Sequence, residues 1–174
     1  MKIIDDFLPN HQFNQLESGM MDWRFPWYYT DKIVNEGEDL FQFIHIFYER
    51  KLMYYEKENT NNSSYMEERH KNFVYPLIEY CVEKLGVKEL LRIKANLRPR
   101  TSSNIPSPYH TDYPNATTSI FYLNSNNGYT KFKKGDKVNS VANRMITFNS
   151  NLEHQGVSCS DQKRRIVINF NYNA

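Results

Sequence analysis

The chain has 174 residues, of which 40% are hydrophobic, 15% aromatic and 24% charged, and its formal net charge is +2. This composition is typical of a globular domain and argues against a disordered or collagen-like chain. The nearly balanced charge does not indicate a nucleic-acid partner. Two cysteines, Cys81 and Cys159, are too few for a disulfide framework or a cysteine-rich zinc site.

The start of the chain lacks the pattern of a secretory signal, because Asp5 and Asp6 directly follow the apolar pair Ile3 and Ile4. The most apolar window, residues 41–48, is far shorter than the roughly 20 residues that a membrane-spanning helix needs. We therefore expect a cytoplasmic protein without a membrane partner. The sequence does not fix the oligomeric state.

The first 90 residues carry the spacing of amphipathic helices. One helix is expected to begin near His11 with Asn10 as its N-cap, and a second pattern covers residues 66–85. Pro76 lies inside the second pattern and predicts a kink or a restart, and Gly86 predicts its end. The apolar positions of the two patterns are Phe13, Leu16, Met20, Phe73, Leu77, Tyr80, Cys81 and Leu85.

After residue 90 the pattern changes to short strands separated by turn residues. Residues 90–97 read as one strand, residues 117–123 are β-branched and aromatic, and residues 165–172 carry the strongest strand pattern. Residues 138–141 and 145–148 predict two shorter strands. Short strands at this density are typical of a sandwich or a jelly roll.

The fold class that these patterns favour is α+β and mainly β. We expect one domain over residues 1–174, because no linker separates its two halves. Residues 1–90 would form a helical support region packed on the outside. Residues 91–174 would form a double-sheet β core, either a sandwich or a jelly roll.

Two of the five histidines indicate a metal site. His110 and Asp112 are two residues apart, so on a strand their side chains point to the same face. His154 follows 42 residues after Asp112, which is enough chain to return beside the first strand in a double-sheet barrel. Two imidazoles and one carboxylate leave one face of a metal open, as in non-haem Fe(II) and O2 chemistry. The alternative is a surface turn, because Pro108 and Pro114 flank the motif.

An arginine pair, Arg164 and Arg165, opens the final predicted strand. Burying an unpaired cation is costly, so an inward arginine indicates an anionic partner, and a guanidinium can hold a carboxylate with two parallel hydrogen bonds. If Arg165 points inward, it shares a partly polar face with Val167, Asn169 and Asn171. If Arg164 points inward, it shares a purely apolar stripe. The alternation favours Arg165, and an exposed pair of arginines is the alternative.

The order of these residues resembles the Fe(II)/2-oxoglutarate-dependent dioxygenases, in which an HxD motif, a later histidine and then an arginine follow one another. Residues 118–124 with 128–130 are similar to the strand and turn after HxD in the prolyl 4-hydroxylase-like branch, and residues 143–148 leading to 154–157 are similar to the later segment. The resemblance covers residues 91–172. The first half of the chain resembles only the small viral or bacterial members of that branch.

The resemblance implies a double-stranded β-helix core with Fe(II) bound by His110, Asp112 and His154. It also implies 2-oxoglutarate as cosubstrate, with its distal carboxylate paired to Arg165 and hydrogen-bonded by Tyr122. The implied activity is hydroxylation of an unidentified substrate by O2, with release of succinate and CO2. The substrate would be a small molecule or a peptide, such as a prolyl or other protein or amino-acid side chain, and ascorbate is left open as a reductant.

One wall of the pocket departs from the family pattern. Many members carry a tyrosine on the strand before HxD, but residues 92–97 contain none, and Asn96 is the candidate substitute.

Two other classes of protein stay open as alternatives. A cupin-type metal enzyme that does not use 2-oxoglutarate would not need Arg165, and a jelly-roll binding or structural protein would not need the HxD motif at all.

Overall fold

The computed structural model describes residues 1–34, 40–50 and 74–174. Helices and strands are numbered separately in chain order. Within the described residues the helices are α1 (Asn10–Met21) and α2 (Val74–Leu85). The strands are β1 (Lys2–Ile4), β2 (Tyr28–Thr30), β3 (Gln42–Glu49), β4 (Glu89–Pro99), β5 (Thr117–Tyr122), β6 (Tyr129–Phe132), β7 (Lys137–Asn139), β8 (Arg144–Asn149), β9 (His154–Val157) and β10 (Arg164–Asn173).

The strands form two antiparallel sheets around a shared interior. The seven-stranded major sheet has the order β1-β8-β5-β10-β4-β3-β2, and the three-stranded minor sheet has the order β7-β6-β9. Neighbouring strands in the major sheet are mostly distant in sequence, so the chain passes repeatedly between the two sheets, as a jelly roll requires. The predicted fold class, a mainly β jelly roll with helices packed outside it, is confirmed.

The N-terminal half contributes strands that the sequence patterns did not predict. β3 pairs with β4 and β2 pairs with β3 at one edge of the major sheet, while β1 pairs with β8 at the other edge. The middle of β3 is almost continuously apolar, and every residue of this strand is buried or half-buried. A continuous apolar run lacks the alternation that identifies a half-buried strand, so periodicity alone does not detect it.

Both helices pack their apolar side against the major sheet. In α1 the buried Phe13, Leu16 and Met20 follow the predicted spacing, but the N-cap is Pro9 and not Asn10, which lies inside the helix. In α2 Pro76 lies in the first turn that the structure describes, and the residues before Val74, where the predicted kink or restart would begin, lie outside the described residues. Gly86 ends α2 with a φ of 67°. The predicted helical residues 66–73 lie outside the described residues.

β4 and β10 are neighbours at the centre of the major sheet and have two different faces. The face toward the helices is apolar, and its residues join the main hydrophobic core: Ile93, Ala95, Leu97, Ile166, Ile168 and Phe170. Complete burial of a large side chain of this kind stabilises the fold by about 1.5–3 kcal/mol. The opposite face lies toward the minor sheet.

Neither helix in the described part of the chain is long and apolar enough to cross a membrane.

Candidate active site

A cavity of about 580 Å³ lies against the inner face of the major sheet. β4 contributes Arg92, Lys94, Asn96 and Arg98 to its lining, and β10 contributes Arg165, Val167 and Asn169. His110, Asp112 and His154 line the same cavity, together with Thr130 from the minor sheet. Every residue that the sequence predicted for the metal site therefore meets Arg165 in one cavity.

The three predicted metal ligands converge. One ligand atom from each of His110, Asp112 and His154 lies within 4.8 Å of the other two. The His154 Nε2 and Asp112 Oδ2 atoms are 3.8 Å apart, with both side chains almost completely buried. Two imidazoles and a carboxylate at this spacing form a donor set that a divalent transition metal can bridge on one face.

Backbone pairing holds the two histidines together. The His110 N–H donates to the His154 carbonyl at 3.0 Å, and the His154 N–H donates to the His110 carbonyl at 2.9 Å. Residues paired in this way in antiparallel chains present their side chains on the same face, and the two rings lie 4.6 Å apart between centroids. This pairing adds the segment before HxD to the edge of the minor sheet.

The contacts that position Asp112 in the site differ from those predicted from the sequence. His110 forms only an isolated bridge and Asp112 lies outside any strand, so strand alternation does not place the carboxylate beside the imidazole. Instead the Asp112 N–H donates to the Ser150 carbonyl at 3.2 Å, and the Thr118 hydroxyl donates to Asp112 Oδ2 at 2.7 Å. Arg92 Nη2 lies 3.5 Å from Asp112 Oδ1. The carboxylate is thus held by side chains of β4 and β5.

Backbone carbonyls fix the ring orientation of both histidines. His110 Nδ1 lies 3.2 Å from the Pro108 carbonyl oxygen, and His154 Nδ1 lies 2.9 Å from that of Leu152. A carbonyl only accepts, so each Nδ1 carries the proton and donates it, which leaves each Nε2 with a lone pair. An imidazole oriented in this way is ready to ligate a metal.

Burial and charge adjust the protonation states in the direction that metal binding needs. Burial, with a further contribution from His154, lowers the pKa of His110, which favours the neutral ring. Burial alone would raise the pKa of Asp112, but His154, the Thr118 hydrogen bond and Arg92 together hold it below its ordinary value. At neutral pH the site therefore offers a neutral His110 and an ionised Asp112.

Arg165, and not Arg164, points into the cavity. Arg165 is only 4% exposed, its Nε donates to Ser140 Oγ at 3.0 Å, and its Nη2 donates to Thr130 Oγ1 at 3.3 Å. No carboxylate pairs with Arg165 in the part of the chain that the structure describes. A Cβ added at Gly128 would lie 2.7 Å from Arg165 Cδ, so a glycine is needed there for the chain to pass this close.

Tyr122 lies next to Arg165 but behind the cavity wall. Its hydroxyl donates to Thr130 Oγ1 at 2.8 Å, and its ring lies 5.7 Å from the Arg165 guanidinium carbon. Thr130 Oγ1 accepts from both Tyr122 and Arg165, so the hydroxyl proton of Thr130 is left to donate to another group. Among the described residues, Thr130 and Arg165 line the cavity, whereas Tyr122 positions them from behind.

Of the polar residues that β4 contributes to the cavity, the sequence analysis expected Asn96 and missed Arg92, Lys94 and Arg98. Arg92, Lys94, Asn96 and Arg98 occupy alternate positions of β4, with apolar residues between them. Polar residues at every second position normally mark a solvent-facing strand surface, but here they face the interior of the barrel. The alternation of polar and apolar residues is visible in the sequence. Only the sheet topology distinguishes an interior polar face from an exterior one.

Comparison with known proteins adds information on the fold. The sequence matches no protein-family model, and no curated protein matches it. A prolyl-4-hydroxylase structure from Pseudomonas putida matches with a TM-score of 0.61 at 14% identity, over 99% of this chain and 92% of that chain. A prolyl hydroxylase from Trichoplax adhaerens, in complex with a hypoxia inducible factor oxygen degradation domain peptide fragment, matches with a TM-score of 0.59 at 15% identity, over 99% and 82% of the two chains.

A third solved structure has a different activity on a similar fold. The non-haem alpha-ketoglutarate-dependent epimerase SnoN from nogalamycin biosynthesis matches with a TM-score of 0.61 at 13% identity, over 98% of this chain and 76% of that chain. At these identities the matches establish a shared fold and leave the reaction to be argued from the site. The fold of this chain is therefore that of the 2-oxoglutarate-dependent Fe(II) oxygenases, as the resemblance in its sequence implied.

Proposed function

We propose that the protein is an Fe(II)- and 2-oxoglutarate-dependent dioxygenase that hydroxylates a substrate with release of succinate and CO2. The observation that carries this proposal is the pairing of two features in one cavity. A His-Asp-His donor set lies on one wall, and the buried Arg165 guanidinium, without a carboxylate partner in the described residues, lies on another. The first feature fits a divalent metal, and the second fits an anionic ligand.

The residues fit Fe(II) as the metal. His110 and His154 would each supply Nε2, and Asp112 would supply one carboxylate oxygen, because the Nδ1 atoms of both rings are already committed to backbone carbonyls. These three donors would leave positions on one face of the metal for other ligands, which is the arrangement of non-haem Fe(II) oxygenases. Thr118 and Arg92 hold the Asp112 carboxylate in place and sustain its charge.

The residues around Arg165 fit the distal carboxylate of 2-oxoglutarate. A guanidinium in a buried, uncharged environment has already lost most of its hydration. An anionic partner therefore stabilises it more than it would stabilise an exposed guanidinium. The Thr130 hydroxyl has a proton left to donate to the same carboxylate. Tyr122 belongs to this hydrogen-bonded group, and we assign it to the cosubstrate site as the residue that orients Thr130.

The protein's own residues bind, orient and shield the reactants. When bound, iron and 2-oxoglutarate supply the oxidative chemistry with O2, and ascorbate is proposed as an optional reductant. Arg165 fixes one end of the cosubstrate, while the metal-binding residues define where its other end lies. Phe132 and Phe148 pack against the His154 ring at centroid distances of 6.0 and 4.9 Å and exclude water from behind the site.

A peptide is one substrate class that the neighbours support, because the Trichoplax adhaerens enzyme was solved with a peptide fragment and the Pseudomonas putida structure is a prolyl-4-hydroxylase. The epimerase shows that the same fold also serves another reaction. We assign hydroxylation, within a single domain of residues 1–174, as the reaction to be tested first.

The test is succinate formation from 2-oxoglutarate by the purified protein with Fe(II) and O2, followed by mass spectrometry of proline peptides, free amino acids and a cell lysate. We expect succinate, and a product that has gained one oxygen atom. Calorimetric titrations separate the alternatives. Binding of Fe(II) without binding of 2-oxoglutarate would indicate a cupin-type enzyme, and binding of neither would indicate a binding or structural protein.

A further inference from the structure

Asn171 is a buried polar residue of β10 that the proposed function does not use. The alternation of the strand places it on the same face as Arg165, and its register partners are Arg92 on β4 and Thr118 on β5. Asn171 and Thr118 are both completely buried, so neither side chain exchanges its protein partners for water. Asn171 does not line the cavity, and it therefore lies beneath the candidate metal site without facing a bound ligand.

The hydrogen bonds of the Asn171 amide have a fixed direction. Arg92 Nε donates to Asn171 Oδ1 at 3.1 Å, and Asn171 Nδ2 donates to Thr118 Oγ1 at 3.0 Å. A guanidinium can only donate, so the amide oxygen has to face Arg92 and the amide nitrogen has to face Thr118. The neighbours of Asn171 thus determine the orientation of its amide group.

This direction commits the single hydroxyl proton of Thr118 to Asp112. Thr118 Oγ1 accepts from Asn171 and donates to Asp112 Oδ2 at 2.7 Å. An ionised carboxylate can only accept, so every hydrogen bond of the chain from Arg92 to Asp112 points toward the carboxylate. Hydrogen bonds that run in one direction polarise one another, which strengthens the last of them, the bond to the charged group.

Arg92 closes this chain of hydrogen bonds into a ring. Its Nη2 atom lies 3.5 Å from Asp112 Oδ1, whereas Thr118 donates to Oδ2, so the ring contacts both oxygens of the carboxylate. Rotation of the carboxylate about its last side-chain bond would break both contacts. Oδ2 also lies 3.8 Å from His154 Nε2. The ring therefore holds the Asp112 carboxylate in the orientation that faces His154.

We propose that Asn171 is a positioning residue for Asp112, the proposed carboxylate ligand of the metal. By accepting from Arg92 and donating to Thr118, Asn171 orients the Thr118 hydroxyl toward the carboxylate. The proposal rests on the proposed function, since it requires that Asp112 binds a divalent metal. It adds a residue that acts on the metal site through Thr118 and touches neither the metal nor the cosubstrate.

The test measures metal affinity, so that it does not depend on turnover. Co(II) is titrated into the metal-free protein in competition with a chelating dye, and the melting temperature of every metal-free variant is recorded. Wild type is compared with Thr118→Val, Thr118→Ser, Asn171→Leu and the double variant Thr118→Val/Asn171→Leu. Leucine has a volume similar to that of asparagine but neither donates nor accepts. Asn173→Leu is the matched control, because Asn173 lies on the same strand and donates to Glu89 Oε2 at 2.6 Å, outside the cavity.

We expect Thr118→Val and Asn171→Leu each to weaken Co(II) binding by about tenfold or more, the usual effect of removing a hydrogen-bond partner that orients a metal ligand. Thr118→Ser should bind Co(II) like the wild type, because it keeps the hydroxyl group. Since Asn171 acts through Thr118, the double variant should bind Co(II) as tightly as Thr118→Val alone, within about twofold. Asn173→Leu should keep the wild-type affinity.

The proposal is overturned if a folded Asn171→Leu variant has a lower melting temperature but wild-type affinity for Co(II), because Asn171 would then be purely structural. It is also overturned if the losses of the two single variants multiply in the double variant, or if Asn173→Leu loses as much affinity as Asn171→Leu. Asn171→Ala takes the place of Asn171→Leu if the leucine variant does not fold.

The same titrations distinguish a failure of this proposal from a failure of the proposed function. A wild type that binds no Co(II) contradicts both. A wild type that binds Co(II) but no 2-oxoglutarate contradicts the proposed function alone, and the comparison of the Asn171 and Thr118 variants still decides the role of Asn171.

Discussion

The two faces of β4 and β10 are formed by the same two strands and differ in almost every physical property. The face toward the helices carries Ile, Ala, Leu and Phe side chains that are buried in the main core. The face toward the cavity carries arginine, lysine and asparagine side chains, with Asp112 as a partner of Arg92. Alternation along a strand places these opposite characters only one residue apart.

In β4 and β10, one face contributes mainly to the stability of the fold and the other mainly to ligand binding. Burial of apolar side chains on the helix face stabilises the sheet, whereas buried polar groups on the cavity face cost free energy unless a partner satisfies them. The partner of Arg92 is Asp112, and we propose that the partner of Arg165 is a cosubstrate. Substitutions on one face should therefore change unfolding, and substitutions on the other should change binding.

The largest effect is expected from a metal-ligand substitution on the cavity side. His154→Ala removes one of the three converging donors, so we expect the variant to lose Fe(II) binding and to form no succinate. Calorimetry with Fe(II) under anaerobic conditions and a succinate assay measure both losses. A folded variant that retained wild-type iron affinity would show that His154 is not a ligand.

The helix face should respond in the opposite way. Phe170→Ala removes a completely buried ring from the main core and should lower the free energy of unfolding by about 3–5 kcal/mol. Chemical denaturation measures this loss. Affinity for 2-oxoglutarate, measured well below the melting temperature, should stay near the wild-type value. A loss of affinity as large as that of a cavity variant would show that the two faces are not independent.

The arginine pair provides the sharpest matched comparison. Arg165→Ala should weaken 2-oxoglutarate binding by about 1.5–3 kcal/mol, the cost of a lost charge-assisted hydrogen bond. Arg164→Ala, one residue away and on the half-buried opposite side, should leave this affinity unchanged. Isothermal titration with 2-oxoglutarate gives both values. The reverse pattern would mean that the face of β10 has been assigned wrongly.

The smallest effect concerns pH. Because the folded state lowers the pKa of His110, the unfolded chain takes up a proton first as the pH falls. The stability of the metal-free protein should therefore be complete above the ordinary histidine pKa of about 6.5 and should decrease below it, by at most about 1.4 kcal/mol per pH unit. Denaturation in a chelator between pH 7.5 and 5.5 measures the slope. His110→Asn should give a shallower slope, and an equal slope would exclude His110 as the cause.

The sequence alone predicted the residues whose chemistry is distinctive. The HxD motif, the later histidine and the alternation of the last strand were enough to expect His110, Asp112, His154 and Arg165 in one place, and the structure brings them together. Their roles as ligands stay predictions. The assumption that His110 and Asp112 share a strand was wrong, because backbone bridges and the Thr118 and Ser150 contacts place them instead.

Other features could not be predicted because they depend on partners that are distant in sequence. β3 is an apolar run whose pairing with β4 only the tertiary fold determines. In the sequence, Lys94 has the pattern of an exposed lysine. Only the pairing of β4 with β10 and β3 places it inside the barrel. Thr130 gains its importance from Tyr122 and Arg165, which no local spacing connects to it.

The proposed function requires one cavity that binds Fe(II) through three side chains and 2-oxoglutarate through Arg165. Its most direct test is an anaerobic titration of the Fe(II)-loaded protein with 2-oxoglutarate, followed by the visible charge-transfer absorption that a metal-bound keto acid produces. We predict that this absorption develops in the wild type, needs much more 2-oxoglutarate in Arg165→Ala, and is absent in His154→Ala. A wild type without this absorption, or an Arg165→Ala variant that titrates like the wild type, would contradict the proposed function.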